Sequence, residues 1–158
     1  MSLELIEALR ERIAHLEKMR SHLAYSYEKV SAWWRVDQDF DTWDADRLES
    51  LAAFKVRFAE LQDHLGSAMN LIARIENENV DRFTYVLNYM VKLAILDSME
   101  EWQAIRDLRN AATHDYSASE AEKALHFHRL LQNADYLFQT FDSLKRFVAM
   151  AYPLKQEM

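Results

Sequence analysis

The sequence contains no cysteine, and it has one glycine (Gly66) and one proline (Pro153) among its 158 residues. The lack of cysteine excludes disulfide scaffolds, thiolate zinc sites and cysteine nucleophiles, and it suits a reducing cytoplasm. Sheet proteins need glycine or proline at most hairpin turns, and Rossmann and P-loop sites need glycine where the chain meets phosphate. The composition therefore argues against all-β folds and against glycine-built nucleotide sites.

Long hydrophobic runs are also missing. The best candidate, Tyr85 to Leu96, is short and is interrupted by Asn88 and Lys92, so it does not match a membrane span. The first dozen residues alternate charged side chains with Leu and Ile, unlike a signal peptide. These features predict a cytoplasmic protein that makes no use of a membrane.

The charge balance limits the partners that the chain can bind. The formal net charge is −7, and affinity for nucleic acid depends largely on cations that neutralise phosphate. Any chemistry on RNA must therefore come from a local cluster of cations, or from one assembled across a dimer. Half of the residues are hydrophobic, which is enough for one ordinary domain with a real core.

Apolar residues recur at helical spacing along almost the whole chain. The period and the capping boxes predict five helices: Leu3 to Trp34, Asp44 to Ile75, Val80 to Leu96, Met99 to Ala112, and a last helix that opens at Ser117 or Ser119 and runs to about Ala151. We therefore expect a single all-α domain over residues 1–158, an antiparallel bundle of about five helices.

The periodicity also predicts which faces are buried. The second helix should bury Leu48, Leu51, Phe54, Phe58, Leu61, Leu65 and Met69, the third Phe83, Leu87, Val91 and Ala94, and the fourth Trp102, Ile105, Leu108 and Ala112. Gly66 lies inside this pattern and indicates a kink or a close helix crossing. The apolar surface exceeds what one bundle of this size needs, which favours a homodimer.

The densest polar chemistry lies between the fourth and fifth helices, where the sequence brings together Arg106, Arg109, Asn110, His114 and Tyr116. Arginine offers a planar, permanently charged fork that matches phosphate oxygens. Histidine can exchange protons near neutral pH. The two together can cleave RNA without a metal, because a base removes the 2′-hydroxyl proton while a cation stabilises the charge on phosphate.

Spacing limits this interpretation. Arg109 and His114 are five residues apart, roughly 140° around a continuous helix, so one helix would not present both on the same face. They converge only if the helix ends near Thr113, or if a second subunit completes the site.

The run Arg109-Asn110-x3-His114-x-Tyr116 resembles the R-x4-6-H signature of the HEPN superfamily. Its longer form, R-x4-H-x-Y, is similar to the HEPN toxins of HEPN/MNT toxin–antitoxin pairs and to the related nucleotidyltransferase substrate-binding proteins. The specific part of the likeness lies in residues 102–116, and the helical layout extends it over nearly the whole chain.

The resemblance implies a HEPN-like homodimer whose paired motifs line a shared cleft and cleave RNA without a metal. His114 would act as general base or acid, Arg109 would hold the phosphate, and Asn110 would orient it. A separate minimal nucleotidyltransferase, the antitoxin of the pair, would transfer AMP from ATP onto Tyr116 and block the cleft with added phosphate. Arg106, on the face of Arg109, is a further candidate for binding phosphate or for a surface salt bridge.

Other interpretations of the same residues stay open. Arg109 could serve only as a C-terminal helix cation paired with Asp107, Asp115 or Glu101. The chain could also be a non-catalytic subunit that presents nucleotide or substrate to a nucleotidyltransferase, or a purely structural helical dimer.

A metal site is not expected. Glu and His lie one helical turn apart at three places: Glu11 and His15, Glu60 and His64, and Glu122 and His126. Di-iron bundles use a Glu-x-x-His spacing with further glutamates, whereas pairs at i,i+4 are typical of solvated surfaces. His126 and His128 point in different directions on a helix. We predict no metal and no other cofactor.

Overall fold

The computed structural model describes residues 2–35, 43–111 and 119–154. These residues form five α-helices and no strand: α1 (Leu3–Ser31), α2 (Ala45–Ile75), α3 (Phe83–Lys92), α4 (Met99–Ala111) and α5 (Glu120–Ala151). The predicted all-α bundle of five helices is therefore confirmed. Among these helices, none has the combination of length and apolar character that a membrane crossing requires.

Side-chain caps start four of the helices. The side chains of Ser2, Asp44, Ser98 and Ser119 each accept a hydrogen bond from the backbone N–H three residues later, which satisfies a donor that has no partner inside the helix. The Ser98 and Ser119 caps are among those that the sequence predicts. Ser117, the alternative start of α5, lies outside the described residues.

The long helices pack through a heptad pattern. Leu9, Leu16, Leu23 and Val30 recur every seventh residue of α1 and are fully buried. One stripe of buried positions on α2 alternates in steps of three and four, as in coiled-coil packing: Leu51, Phe54, Phe58, Leu61, Leu65, Ala68 and Ile72. Gln62, Gly66, Met69 and Ala73 are buried beside it, so α2 turns a broad buried face to its neighbours. Buried side chains of all five helices join in one core.

Polar contacts define the direction of the helices. Arg12 in α1 meets His64 in α2, and Ser26 further along α1 meets Arg57 earlier in α2. The two helices are therefore antiparallel. The same argument makes α5 antiparallel to α1, since Glu17 pairs with Lys145 and Arg20 pairs with Asp142.

The third helix is shorter than the prediction of Val80 to Leu96. It ends because Ala94 adopts a left-handed backbone conformation with a φ of 59°, and the N–H of Ile95 returns to the carbonyl of Met90 at 3.0 Å. This is the hydrogen-bond pattern of a helix C-terminus. The inward face also differs from the prediction, because Val86, Leu87 and Met90 are buried whereas Ala94 is exposed.

Two positions of α2, Leu48 and Gly66, also bear on the predicted packing. Leu48, which the period places in the core, is 38% exposed because it lies in the first turn, outside the 51–72 stripe. Gly66 is buried within a continuous α2, and an added Cβ there would meet the Phe83 ring at 3.4 Å and the Trp102 ring at 3.7 Å. The close crossing expected at this glycine is therefore present.

Candidate functional site

The fourth helix carries three of the predicted site residues. Trp102 and Ile105 bury one face of α4, and Arg106, Arg109 and Asn110 follow in its last two turns. Arg106 and Asn110 are exposed, and Arg109 is partly buried. His114 and Tyr116 lie outside the described residues, so their place relative to Arg109 stays a prediction.

Arg109 makes a two-point ion pair with Asp63 of α2. Its Nη1 lies 2.7 Å from Oδ1, and its Nη2 lies 2.9 Å from Oδ2, the parallel geometry in which a guanidinium binds a carboxylate. The side chains remain 25% and 55% exposed, respectively. The sequence offered nearby acids as structural partners, but the partner is an aspartate 46 positions away in sequence.

A cleft with a volume of about 690 Å³ opens beside this ion pair. We call it the polar cleft; α1, α2 and α4 line it with Arg12, His15, Gln62, Asp63, Trp102 and Arg106, and Phe83 of α3 forms part of its wall. Arg106 and the partner of Arg109 therefore line the same cleft. All of these lining residues belong to a single chain.

The cleft contains residues that the sequence assigned to solvated pairs. Glu11 and His15 both line it. His64 does not pair with Glu60; its Nδ1 lies 2.6 Å from Nη1 of Arg12 and acts as the acceptor, because a guanidinium has only donors. No group of three or more potential ligands that could hold a metal occurs in residues 2–35, 43–111 and 119–154.

The floor of the polar cleft holds buried polar atoms without partners. Gln62 and Trp102 are each 2% exposed. Neither the amide oxygen and nitrogen of Gln62 nor the indole Nε1 of Trp102 has a hydrogen-bond partner. Periodicity placed Trp102 in the core, and it gave no reason to single out Gln62. The available signal was only a polar residue directly after Leu61, beside the apolar stripe of α2.

Two side chains of α5, away from the cleft, have shifted pKa values. Burial lowers the pKa of His126, assisted by the positive charges of Lys55 and Arg129, and the Nε2 of this histidine has no partner. Burial, with the Glu101 carboxylate nearby, raises the pKa of Tyr136 to about 12. Burial, rather than a specific partner, is therefore the main cause of each shift.

His128 contacts a different group from His126. Its Nδ1 accepts a hydrogen bond from Nε1 of Trp34 at 3.1 Å, and its ring stacks on that indole. The two histidines therefore do not act together, in keeping with the directions that the helix gives them.

Comparison with protein-family models, with curated proteins and with solved structures finds no significant match for the chain.

Proposed function

We propose that the protein is a metal-independent endoribonuclease of the HEPN type, in which Arg109 and His114 act on the scissile phosphate of RNA. The observation that carries the proposal is the convergence of arginines on one cleft: Arg106 and Arg12 line it, and Arg109 pairs with an aspartate that also lines it. In a chain with a net charge of −7, such a local cluster is what binding of phosphate requires.

The reaction follows from the chemistry of the two groups. His114 takes the proton of the ribose 2′-hydroxyl, and the 2′-oxygen attacks the adjacent phosphorus. The bond to the 5′-oxygen breaks, and that oxygen takes a proton as it leaves. Arg109 stabilises the negative charge that builds on phosphate. The products are a 2′,3′-cyclic phosphate and a 5′-hydroxyl end.

The ion pair with Asp63 sets the state of Arg109 before RNA binds. A carboxylate and a phosphate present the same paired oxygens to a guanidinium, so the phosphodiester replaces Asp63 when RNA enters. Since both side chains of the pair remain partly exposed, the exchange requires no unfolding of α4.

The decisive experiment compares variants at both ends of the ion pair. Purified protein should cleave RNA in EDTA, and Arg109→Ala and His114→Ala should each lower the rate at least about 100-fold. Asp63→Asn, which removes the ion pair but keeps the arginine, should retain or increase cleavage. If Arg109→Ala and His114→Ala cleave like the parent, the proposed roles are wrong.

The proposal includes two partners: a second copy of the chain and a separate minimal nucleotidyltransferase that adenylylates Tyr116. Incubation with such an enzyme and ATP should add the mass of AMP to the parent protein but not to Tyr116→Phe. The modified protein should not cleave RNA. A monomeric mass in solution contradicts the homodimer.

One observation favours a second candidate function, a non-catalytic nucleotide-binding or substrate-binding subunit of a nucleotidyltransferase complex. Both terminal nitrogens of Arg109 are already bound to Asp63, as expected for an arginine that holds α4 in place. This alternative predicts no cleavage by the parent and stable co-purification with the nucleotidyltransferase.

A further inference from the structure

The unpartnered atoms at the floor of the polar cleft call for a physical explanation. A buried donor or acceptor without a partner costs about 1–3 kcal/mol, and native proteins leave few of them. Two residues that line the cleft have three such atoms, the two amide atoms of Gln62 and the Nε1 of Trp102. A leucine at position 62 would continue the apolar stripe of α2 without this cost, so the amide has a use other than stability.

The space above these atoms has the size of a ligand site. Its volume of about 690 Å³ lies within the range of about 300–1,000 Å³ that holds small organic molecules. Its wall includes the ring of Phe83, which is only partly buried. A flat group fits against this ring, because aromatic faces stack.

The floor determines what the flat group must offer. An amide presents a donor and an acceptor side by side, and the indole of Trp102 adds a second donor. The matching ligand edge therefore carries both a donor and acceptors, as the edge of a nucleobase does.

The charged side chains of the cleft determine the rest of the ligand. Arg12 and Arg106 supply two guanidinium groups, which bind phosphate. In the free protein the charge of Asp63 is neutralised by Arg109. The carboxylate of Glu11 would repel a phosphate placed beside it, but it is an acceptor suited to the hydroxyls of a ribose.

We propose that the polar cleft binds one nucleotide, with its base against Phe83 and hydrogen-bonded to Gln62, and its phosphate at Arg106 and Arg12. The inference deepens the proposed function, because it assigns the place of one nucleotide of the substrate, and it rests on that function for RNA as the source. A free nucleotide has the same chemistry, so the test includes both sources.

Binding to the full chain is measured by calorimetry and by NMR, which observes the indole N–H signals of the ¹⁵N-labelled protein. The signal that is missing in Trp102→Phe is the signal of Trp102. The probes are the four nucleoside monophosphates, ribose 5-phosphate without a base, inorganic phosphate, and a single-stranded 2′-O-methyl RNA that lacks the attacking hydroxyl. We expect at least one monophosphate and the RNA to shift the Trp102 signal. Whichever of the two binds more tightly identifies the source.

The variants separate base recognition from attraction to phosphate. Gln62→Leu should weaken nucleotide binding at least about tenfold, the equivalent of one hydrogen bond of about 1.4 kcal/mol. Trp102→Phe, which keeps a ring and removes the donor, should also weaken it. Gln139→Leu, the same substitution at an exposed position of α5, should bind like the parent.

Three results of the binding measurements would overturn the inference. They are binding of ribose 5-phosphate as tight as that of the monophosphates, no shift of the Trp102 signal, and unchanged affinity in both Gln62→Leu and Trp102→Phe. RNA cleavage that is indifferent to Gln62 and Trp102 would also overturn it, while leaving the proposed function standing. Base-dependent binding by a parent that cleaves no RNA would overturn the proposed function and support the site.

Discussion

Two regions beside helix α1 differ in how their polar groups are paired. Towards α5, its charged side chains find partners within the chain: Arg20 lies 2.9 Å from Asp142, and Glu17 lies 2.9 Å from Lys145. Towards α4 lies the polar cleft, whose floor has an unpaired amide at Gln62. The ion pairs towards α5 join two helices of the fold, whereas the cleft is where, as proposed above, a ligand would add interactions that the chain itself does not supply.

The largest expected difference between the two regions is in their apolar packing. Leu16→Ala, at a fully buried position of α1, should lower the free energy of unfolding by about 2–5 kcal/mol. Leu71→Ala, at a partly buried position lining the cleft, should cost about 1–2 kcal/mol because little apolar surface is lost from burial. Urea denaturation measures both, and equal costs would mean that the cleft is packed like the core.

The second prediction concerns buried polar groups with and without a partner. Gln62→Leu should raise the free energy of unfolding by about 1–3 kcal/mol, because it removes two unsatisfied atoms. Ser26→Ala should lower it by about 1 kcal/mol, because the buried Ser26 accepts a 2.7 Å hydrogen bond from Arg57. Thermal unfolding without ligand compares the two, and a loss of stability in Gln62→Leu would show that the amide has a structural partner.

The third prediction uses pH to test a group on α5, away from the cleft. Since burial lowers the pKa of His126, the unfolded chain binds its proton at a higher pH than the folded protein does. Stability should therefore fall as the pH drops below about 6.5, the usual histidine value. His126→Gln should lose less stability than the parent between about pH 7.5 and 5.5, and His22→Gln, at an exposed histidine, should behave like the parent.

The smallest effects are expected for the exposed ion pairs. Double-mutant cycles for Arg20 with Asp142 and for Arg109 with Asp63 should each give less than about 1 kcal/mol, because water and salt screen partly exposed charges. Arg109→Ala should therefore unfold at nearly the parent temperature. A coupling of several kcal/mol at Arg109 would favour the purely structural role of this arginine.

Local signals made most of the fold predictable. Apolar periodicity and capping side chains such as Ser98 and Ser119 depend on neighbours within one or two turns, so the helices begin close to where the sequence predicts. The end of α3 was missed because Ala94 adopts a left-handed conformation that is common for glycine and rare for alanine. No residue type at that position signals the end of a helix.

The candidate site was predictable only in part. Composition and spacing singled out Arg106 and Arg109, but the partner of Arg109 depends on how α4 crosses α2, which periodicity does not specify. Gln62 stands out because its buried amide has no hydrogen-bond partner. Only the packing around the side chain reveals this, and the sequence does not specify that packing. His114 and Tyr116 remain predictions from the motif, since they lie outside the described residues.

Gly66 gives experimental control over the cleft. Glycine inside a helix costs roughly 1 kcal/mol relative to alanine, and a methyl group here would reach the two neighbouring rings only at ordinary contact distances of 3.4 and 3.7 Å. Alanine should therefore be accommodated, whereas a longer side chain would have to occupy the open volume itself. A series of increasingly large side chains at position 66 should therefore fill the cleft step by step and exclude a ligand from it. Every charged group of the site would stay unaltered.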